Sequence, residues 1–350
     1  MIPMKPGWNG ACRIAAPPYD DGSRRLVRLW LFICVAMAAL MVLLGGLTRL
    51  TGSGLSMVEW NPGTFLPPLT SAEWHSAFLK YQASPQYRLV NPDLDMAGFR
   101  RIFWLEYVHR LWGRLVGVAV VVPLAGFAVR GWIEGRLAGR LLGIVALGGL
   151  QGVMGWLMVA SGLVDRPEVS HFRLGAHLVM GFLIFGALLW TALDEAAGAA
   201  PSPRIPRKAR RALAALLVLV LVTATWGAFV AGLKAGLVYE TFPLMDGHWL
   251  PPEGRDILRD PGPVQFVHRL LAASVVLTLS GLWLWSRRWP GIPRRAMAIA
   301  AGWSWVQASL GVATLLNRVP IPLAAAHQVG ALALFALAIR ALHGVRRAER

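Results

Sequence analysis

The chain has 350 residues, of which 56% are hydrophobic and 15% charged, with a mean hydropathy of +0.52. That balance excludes a water-soluble globular protein, whose surface needs far more charge. The formal net charge of +17 raises nucleic-acid binding, but the basic residues sit between apolar runs rather than in one patch, so that class is excluded too.

In chain order, uncharged segments run Leu29–Thr48, Leu115–Val129, Leu141–Val164, Leu174–Leu193, Ala212–Leu233, Leu270–Ser286, Ala296–Asn317 and Val319–Ile339. At 1.5 Å per residue each can cross a hydrocarbon core of roughly 30 Å, some only when a polar first turn is counted. The second and sixth are short because Glu106, His109, Arg110 and Arg114, or His268 and Arg269, occupy their outer turns. The expectation is an all-α integral membrane protein of eight transmembrane helices. The run after Arg24, Arg25 and Arg28 is too long for a secretory signal core and lacks a small-residue cleavage site before Arg49, so it reads as the first span. Cys12 and Cys34 are placed on the wrong side, or too deep, for an outer-loop disulfide.

Alternate loops differ in charge. One side carries Arg24/Arg25/Arg28, Arg130/Arg136/Arg140, Arg204/Arg207/Lys208/Arg210/Arg211, Arg287/Arg288/Arg294/Arg295 and Arg340/Arg346/Arg347/Arg350. By the positive-inside rule that side and both termini face the cytoplasm of a bacterial inner membrane, with the opposite loops toward the periplasm, or face the matrix if the membrane is an organelle's. The surplus charge is therefore topological.

Two outer loops are long, Arg49–Arg101 and Lys234–Pro263, and loops of that length tend to be functional. In the first, Trp74, Phe78 and Tyr81 recur at helical spacing, which predicts a helix over 71–81 lying flat on the membrane.

Spans one to four and five to eight read as copies. Glu106-Tyr-Val-His109-Arg110-Leu111 matches Gln265-Phe-Val-His268-Arg269-Leu270, Gln151-Gly-Val-Met-Gly155 matches Gln307-Ala-Ser-Leu-Gly311, and Ala176-His177 matches Ala326-His327. Four spans separate the copies, so the repeat is parallel. The organisation expected is a cytoplasmic segment 1–25, a first four-helix unit 26–193, a basic linker 194–211, a second unit 212–341 and a tail 342–350.

Ionisable residues inside spans are costly and mark function. His75, His248 and His343 fall in loops or the tail, where a solvated histidine is expected, and His171 lies just before the fourth span. His109, His177, His268 and His327 differ, because all four occupy outer turns of even-numbered spans, two per unit, at matching positions. Zinc would be short of ligands with two histidines per unit and no cysteine nearby. Two imidazoles from facing helices suit the two axial positions of one heme iron, so two bis-histidine hemes are expected. All four ligands share one depth, unlike a cytochrome that carries electrons across the bilayer. Glu106 lies three residues before His109 and so on the same helix face, whereas the second unit has Gln265 there. A carboxylate beside a heme is suited to general acid–base work, which points to the first unit as the reactive one, although an ion pair with Arg110 or Arg114 competes with that reading. Arg110 and Arg269 are suited to pairing with heme propionates, and snorkelling to the interface is the plainer alternative. A non-catalytic diheme cytochrome b subunit and a heme transporter or chaperone remain as rival functions.

These residues together resemble the heme A synthase family. The resemblance rests on Gly45-Gly-Leu-Thr-Arg-Leu-Thr-Gly-Ser-Gly-Leu-Ser56 running into Glu59-Trp-Asn-Pro62, on Glu106 to Arg110, on His171-Phe-Arg-Leu-Gly-Ala-His177, on His268-Arg269 and on Ala324-Ala-Ala-His327. It implies that His109 and His177 flank the substrate heme O, that His268 and His327 bind a resident heme b through its iron, and that Glu106 is the catalytic carboxylate. It further implies oxidation of the heme O C8 methyl to an alcohol and a geminal diol, which loses water to give the formyl group of heme A for cytochrome oxidase. Heme O synthase, oxidase assembly factors, membrane lipid and a second copy in a homo-oligomer are the partners it implies. The cysteine pairs that one branch of the family carries in its outer loops are absent, so the chain is similar to the mitochondrial and proteobacterial branch.

Overall fold

The computed structural model describes residues 20–59, 63, 66–162, 169–197, 207–287 and 294–347. Cys12, Trp60, Asn61, Pro62, Val164, Arg204, Arg288, Arg350 and residues 198–206 of the 194–211 linker lie outside them. The described residues are helical apart from turns and loops, and eight of the helices are long and apolar enough to cross a membrane. The chain is a multi-pass membrane protein.

Helix α1 covers Asp21–Leu50, and its N-cap Asp20 accepts a hydrogen bond from the Ser23 amide at 2.8 Å. Two short helices follow in the first outer loop, α2 over Ser71–Gln82 and α3 over Pro85–Val90. Next come α4 (Met96–Val129), α5 (Gly135–Gly162), α6 (His171–Ala196), α7 (Arg207–Gly232), α8 (Pro261–Ser286), α9 (Arg294–Leu316) and α10 (Ile321–Arg347). Helices α4 and α8 begin well before their uncharged segments because a helix satisfies its own backbone, so Glu106, His109 and His268 are carried into the bundle on regular turns. Helix α10 begins at Ile321 rather than Val319, since Arg318 and Val319 take left-handed backbone with φ of 60° and 57° to make the turn from α9.

Helices α1, α4, α5 and α6 pack in a closed ring in chain order, and α7, α8, α9 and α10 pack in a second. The rings meet through α6 against α7 and α1 against α10. Two cross-ring hydrogen bonds are specific: Gln328 Nε2 donates to the Val42 carbonyl at 2.8 Å, and Arg49 donates to the Ala231 carbonyl at 2.8 Å, covering the C-terminus of α7. Within the first ring the Trp30 indole donates to Ala119 and the Trp112 indole to Met37, pinning α1 to α4 in both directions.

Two sequence expectations are corrected. Helix α2 forms where predicted, with a Thr70–Glu73 capping box, but its aromatic face is not spread on lipid. Trp74 and Tyr81 are buried with Phe99, Phe103 and Tyr107 of α4, and the Tyr81 and Phe99 rings stack at 5.2 Å between centroids. Aromatic rings bury more area, and add about 0.5–1.5 kcal/mol per ring pair, when they meet each other. His343 is not solvated in a tail. It sits within α10, buried, with Nε2 2.9 Å from Asp194 of α6, while Arg140 of α5 reaches the other Asp194 oxygen at 2.6 Å. One acid thus ties three helix ends together.

Candidate functional site

The four candidate ligands are each seated by the helix beside them. A methyl group placed on Gly45 of α1 would stand 3.3 Å from Cε1 of His109 on α4, and one on Gly155 of α5 would stand 3.3 Å from Cε1 of His177 on α6. In the second ring Gly227 of α7 bears the same relation to His268 of α8 at 3.1 Å, and Gly311 of α9 to His327 of α10 at 2.8 Å. In both rings, then, a glycine on the first helix receives the imidazole of the second, and a glycine on the third receives that of the fourth. A methyl group at Gly311 would force something to shift, and at the other three the imidazole would have to give by a few tenths of an ångström.

The Nδ1 edges face protein. Nδ1 of His109 is 3.5 Å from Thr48 Oγ1, which itself donates to the Leu44 carbonyl at 2.8 Å. Nδ1 of His327 is 3.0 Å from Gln307 Nε2. Nδ1 of His268 and Nδ1 of His177 are buried without a hydrogen-bond partner. Among the described residues no group hydrogen-bonds to Nε2 of any of the four. His109 lies within electrostatic reach of His177, and His268 of His327, so the rings pair within each four-helix unit. No three His, Cys, Asp or Glu side chains gather at one point among the described residues. The ligand sets available are pairs.

Glu106 is buried, 3% exposed, and its carboxylate is fully engaged. One oxygen accepts from Ser56 Oγ at 2.6 Å and from the Met57 amide at 2.8 Å, and the other pairs with Arg110 one turn along α4. Arg110 also donates to the Met57 carbonyl at 2.8 Å and the Glu59 carbonyl at 3.1 Å. The second unit repeats this device without charge on the acceptor: Gln265 donates to the Tyr239 carbonyl at 3.0 Å, and Arg269 donates to Tyr239, Pro243 and Leu244 at 3.1, 3.2 and 3.3 Å. Both arginines bind the chain that leaves the preceding helix, and the Glu106–Arg110 pairing that competed with catalysis on sequence grounds is present. Nε of Arg269 is buried without a hydrogen-bond partner.

Sequence reading missed the seating role of the glycines and the anchoring turn, although Gly45 and the turn lie in the Gly45–Ser56 motif. Gly45 receives His109, Gly46 approaches Gln328 so closely that a methyl group would overlap it, Thr48 faces His109, and Ser56 holds Glu106. The paired glycines of α1 and α7 were the available signal. His171, the first residue of α6, bridges the rings instead, with Nε2 2.8 Å from the Leu258 carbonyl.

Outside the acid–arginine clamps, the outer segments carry ordinary cap electrostatics. Hydrogen bonds from the Thr70 and Leu69 amides hold the Glu73 carboxyl below its usual value of 4.5, and those from the Asp256 and Arg255 amides do the same for Asp260.

A family model described as "Cytochrome oxidase assembly protein" (COX15-CtaA) matches residues 28–339. The chain is 47% identical over 339 residues to a protein named "Heme A synthase" from Paramagnetospirillum magneticum, covering 93% of this chain and 96% of that one. It is 44% identical over 339 residues to a "Heme A synthase" from Nitrosospira multiformis, covering 92% and 94%. It is 40% identical over 353 residues to "Heme A synthase COX15" from Homo sapiens, covering 95% and 85%. Matches of that extent take in both rings, all four histidines and Glu106, and the chain belongs to the cytochrome oxidase assembly protein family that includes the heme A synthases.

Proposed function

We propose that the chain is a heme A synthase, an oxidoreductase that converts the C8 methyl of heme O to the formyl group of heme A through an alcohol and a geminal diol that loses water. The observation that carries the reading is the pair of glycine-seated histidines in each unit. Their Cε1 and Nδ1 edges meet protein, while Nε2 makes no hydrogen bond, which is the edge an axial ligand offers to iron. Full-length similarity to relatives named heme A synthase supports the substrate.

The donor set fits a heme in each unit. His268 and His327 would hold a resident heme b, whose iron supplies one-electron chemistry when bound, and His109 and His177 would flank heme O in the first unit (26–193). With water as the formal oxygen source, each oxidation passes two electrons to an acceptor outside the chain and releases two protons, and Glu106, beside His109, is the group proposed to take them up. Three donors hold its carboxylate and one lone-pair site is left for a proton, so Arg110 and the Ser56–Met57 turn orient the proposed base. The charged Glu106 in one unit against the neutral Gln265 in the other supports the first as reactive and the second (212–341) as the cofactor holder. Arg110 and Arg269 remain the proposed propionate contacts.

The arginine-rich loops support an inner-membrane protein with cytoplasmic termini and periplasmic heme sites. Heme O synthase and oxidase assembly factors are the proposed partners. Co-expression with a heme O source, followed by extraction and mass identification of the bound hemes, tests the reading. Heme A and its alcohol intermediate are expected alongside heme b. Two heme b and nothing else would instead fit an electron-transfer subunit, and heme O returned unchanged would fit a carrier.

A further inference from the structure

The two units differ in how closely the second helix of each meets the third. Among the contacts that close the two rings, α4 against α5 is the loosest, whereas α8 and α9 pack tightly. Helix α5 buries Leu141, Ile144 and Gly162, toward its two ends, while α9 buries Met297, Ala300, Ala301, Ser304, Gln307 and Thr314 along its length. The repeat shows which side chains make the difference. In the second unit the Trp305 indole of α9 donates to Ser280 Oγ of α8 at 3.2 Å, and Val276, one turn before Ser280, is buried. Ser280 follows His268 by as many residues as Val121 follows His109, and Trp305 precedes Gln307 by as many as Gly149 precedes Gln151. The first unit therefore has Val121, Gly149 and Gly117 where the second has Ser280, Trp305 and Val276. A methyl group added to Gly117, to Gly149 or to Gly152 one turn beyond it would meet nothing within 4 Å among the described residues, and Val121 is 46% exposed.

This seam has definite ends. At the outer end the turn that leaves α1 lies across it. Leu55 fills the space beside Gly162 of α5, where a methyl group would stand 2.8 Å from it, and Ser56 and Met57 bind Glu106 of α4. At the cytoplasmic end Leu124 of α4 joins Leu141 and Ile144 of α5 in the main apolar core. Between these ends the seam forms a window in the wall of the first unit, running from the turns that carry His109 and His177 toward the middle of the membrane. Its rim carries a charge. Arg114 is half-buried one turn before Gly117, on the same face of α4, where the second unit has Ala273. A charged side chain inside a span is costly and marks function.

We propose that the α4–α5 seam is the lateral port through which the substrate heme passes between lipid and the first unit, with its apolar isoprenoid chain lying along Gly117, Gly149 and Gly152. The inference rests on the reading of the first unit as the heme O site. The chemistry of the occupant matches both features of the seam. The long isoprenoid chain of heme O keeps it in the membrane, which favours entry from the side over entry through the outer loops. Its propionates must also pass, and a guanidinium at the rim offers them a partner. Small residues let a flat ring and a chain come close to both helix backbones. The seam is continuous with the histidine pair, because Gly152 lies one turn before Gly155, which seats His177.

Transplanting side chains from the second unit tests this. Wild type and the full-length variant Gly117→Val/Gly149→Trp are placed in lipid nanodiscs, and uptake of heme O from vesicles is followed by its low-spin Soret band. Gly302→Trp serves as the control, because Gly302 of α9 also has open space beside it but lies outside the seam. The double variant should take up heme O roughly tenfold more slowly, since the heme must then part packed side chains, yet reach the wild-type extent and keep its heme b. Gly302→Trp should match wild type. A wild-type rate in the double variant would overturn the port, as would equal slowing in Gly302→Trp or a lower final extent at an unchanged rate. A wild-type rate together with a fall in particle mass would assign the seam to a second copy of the chain instead. Should the double variant lose its heme b, Gly152→Leu supplies a milder closure, and a wild-type rate there overturns the port equally. His109→Ala separates this from the parent reading. If that variant still develops the heme O band, the first unit is not the heme O site, whereas loss of the band beside a double variant of wild-type rate sinks only the port.

Discussion

Gly311 of α9 lies against the Cε1 edge of His327 on α10, so near that a methyl group on it would stand 2.8 Å from that atom, while the matching distance from Gly155 to His177 is 3.3 Å. The first value requires something to move and the second only a few tenths of an ångström of give. Gly311→Ala should therefore displace the His327 ring and reduce heme content in the second unit, at an overpacking cost of about 1–3 kcal/mol. Gly155→Ala should be milder. Heme-to-protein ratios of the two purified variants check this, and equal losses would show that the approach at Gly311 has no special role.

Glu106→Gln should fold and bind hemes, because the second unit already accommodates a glutamine at the equivalent place, with Gln265 donating to the Tyr239 carbonyl. With the proton acceptor gone, extracted heme should be heme O or the alcohol, with heme A reduced at least tenfold, within the range attributed to general acid–base catalysis. A normal heme A yield would remove Glu106 from the chemistry and leave it as a loop clamp.

The Arg110–Glu106 pair is buried, with side-chain exposures of 14% and 4%. Arg110→Leu strands a buried carboxylate and should destabilise the solubilised protein by about 3–5 kcal/mol. The double variant Glu106→Gln/Arg110→Leu should recover part of that loss, since no charge is left uncompensated. Thermal midpoints of the three variants decide it, and a midpoint for Arg110→Leu equal to wild type would contradict a stabilising pair.

The Glu73 carboxyl, held low by the Thr70 and Leu69 amides, should make the α2 cap sensitive to acid. A depressed folded-state value stabilises above the unfolded value of 4.5, and that contribution is lost as pH falls through the lower folded value. Amide exchange over residues 69–82, corrected for its intrinsic pH dependence, should rise relative to α4 in that window. Glu73→Gln keeps a capping side chain without a titrating group and should abolish the transition.

The loop clamps show where reading along the chain stops. Glu106, Arg110, Gln265 and Arg269 were all visible as polar residues in outer turns, and their i,i+4 spacing allows the acid–arginine pair. Their other partners, Ser56 and Met57 or Tyr239 and Leu244, lie on chain leaving a different helix, and no periodicity connects them. His343 illustrates the reverse: near the end of the chain it reads as solvated, yet α10 continues through it to meet Asp194 of α6.

What the sequence by itself determined is whatever depends on solvent and local repeat: eight spans from apolar length, and four histidines at matching positions with a carboxylate beside only one of them. Lipid makes those features legible, since a spanning backbone must satisfy itself as helix and charge must stay outside. Tertiary structure alone decided which neighbour each side chain meets. An apolar helix face carries the same pattern whether it meets lipid or protein, so only packing could turn the aromatic face of α2 onto α4. Only packing, too, could set Gly45, Gly155, Gly227 and Gly311 against the four imidazoles.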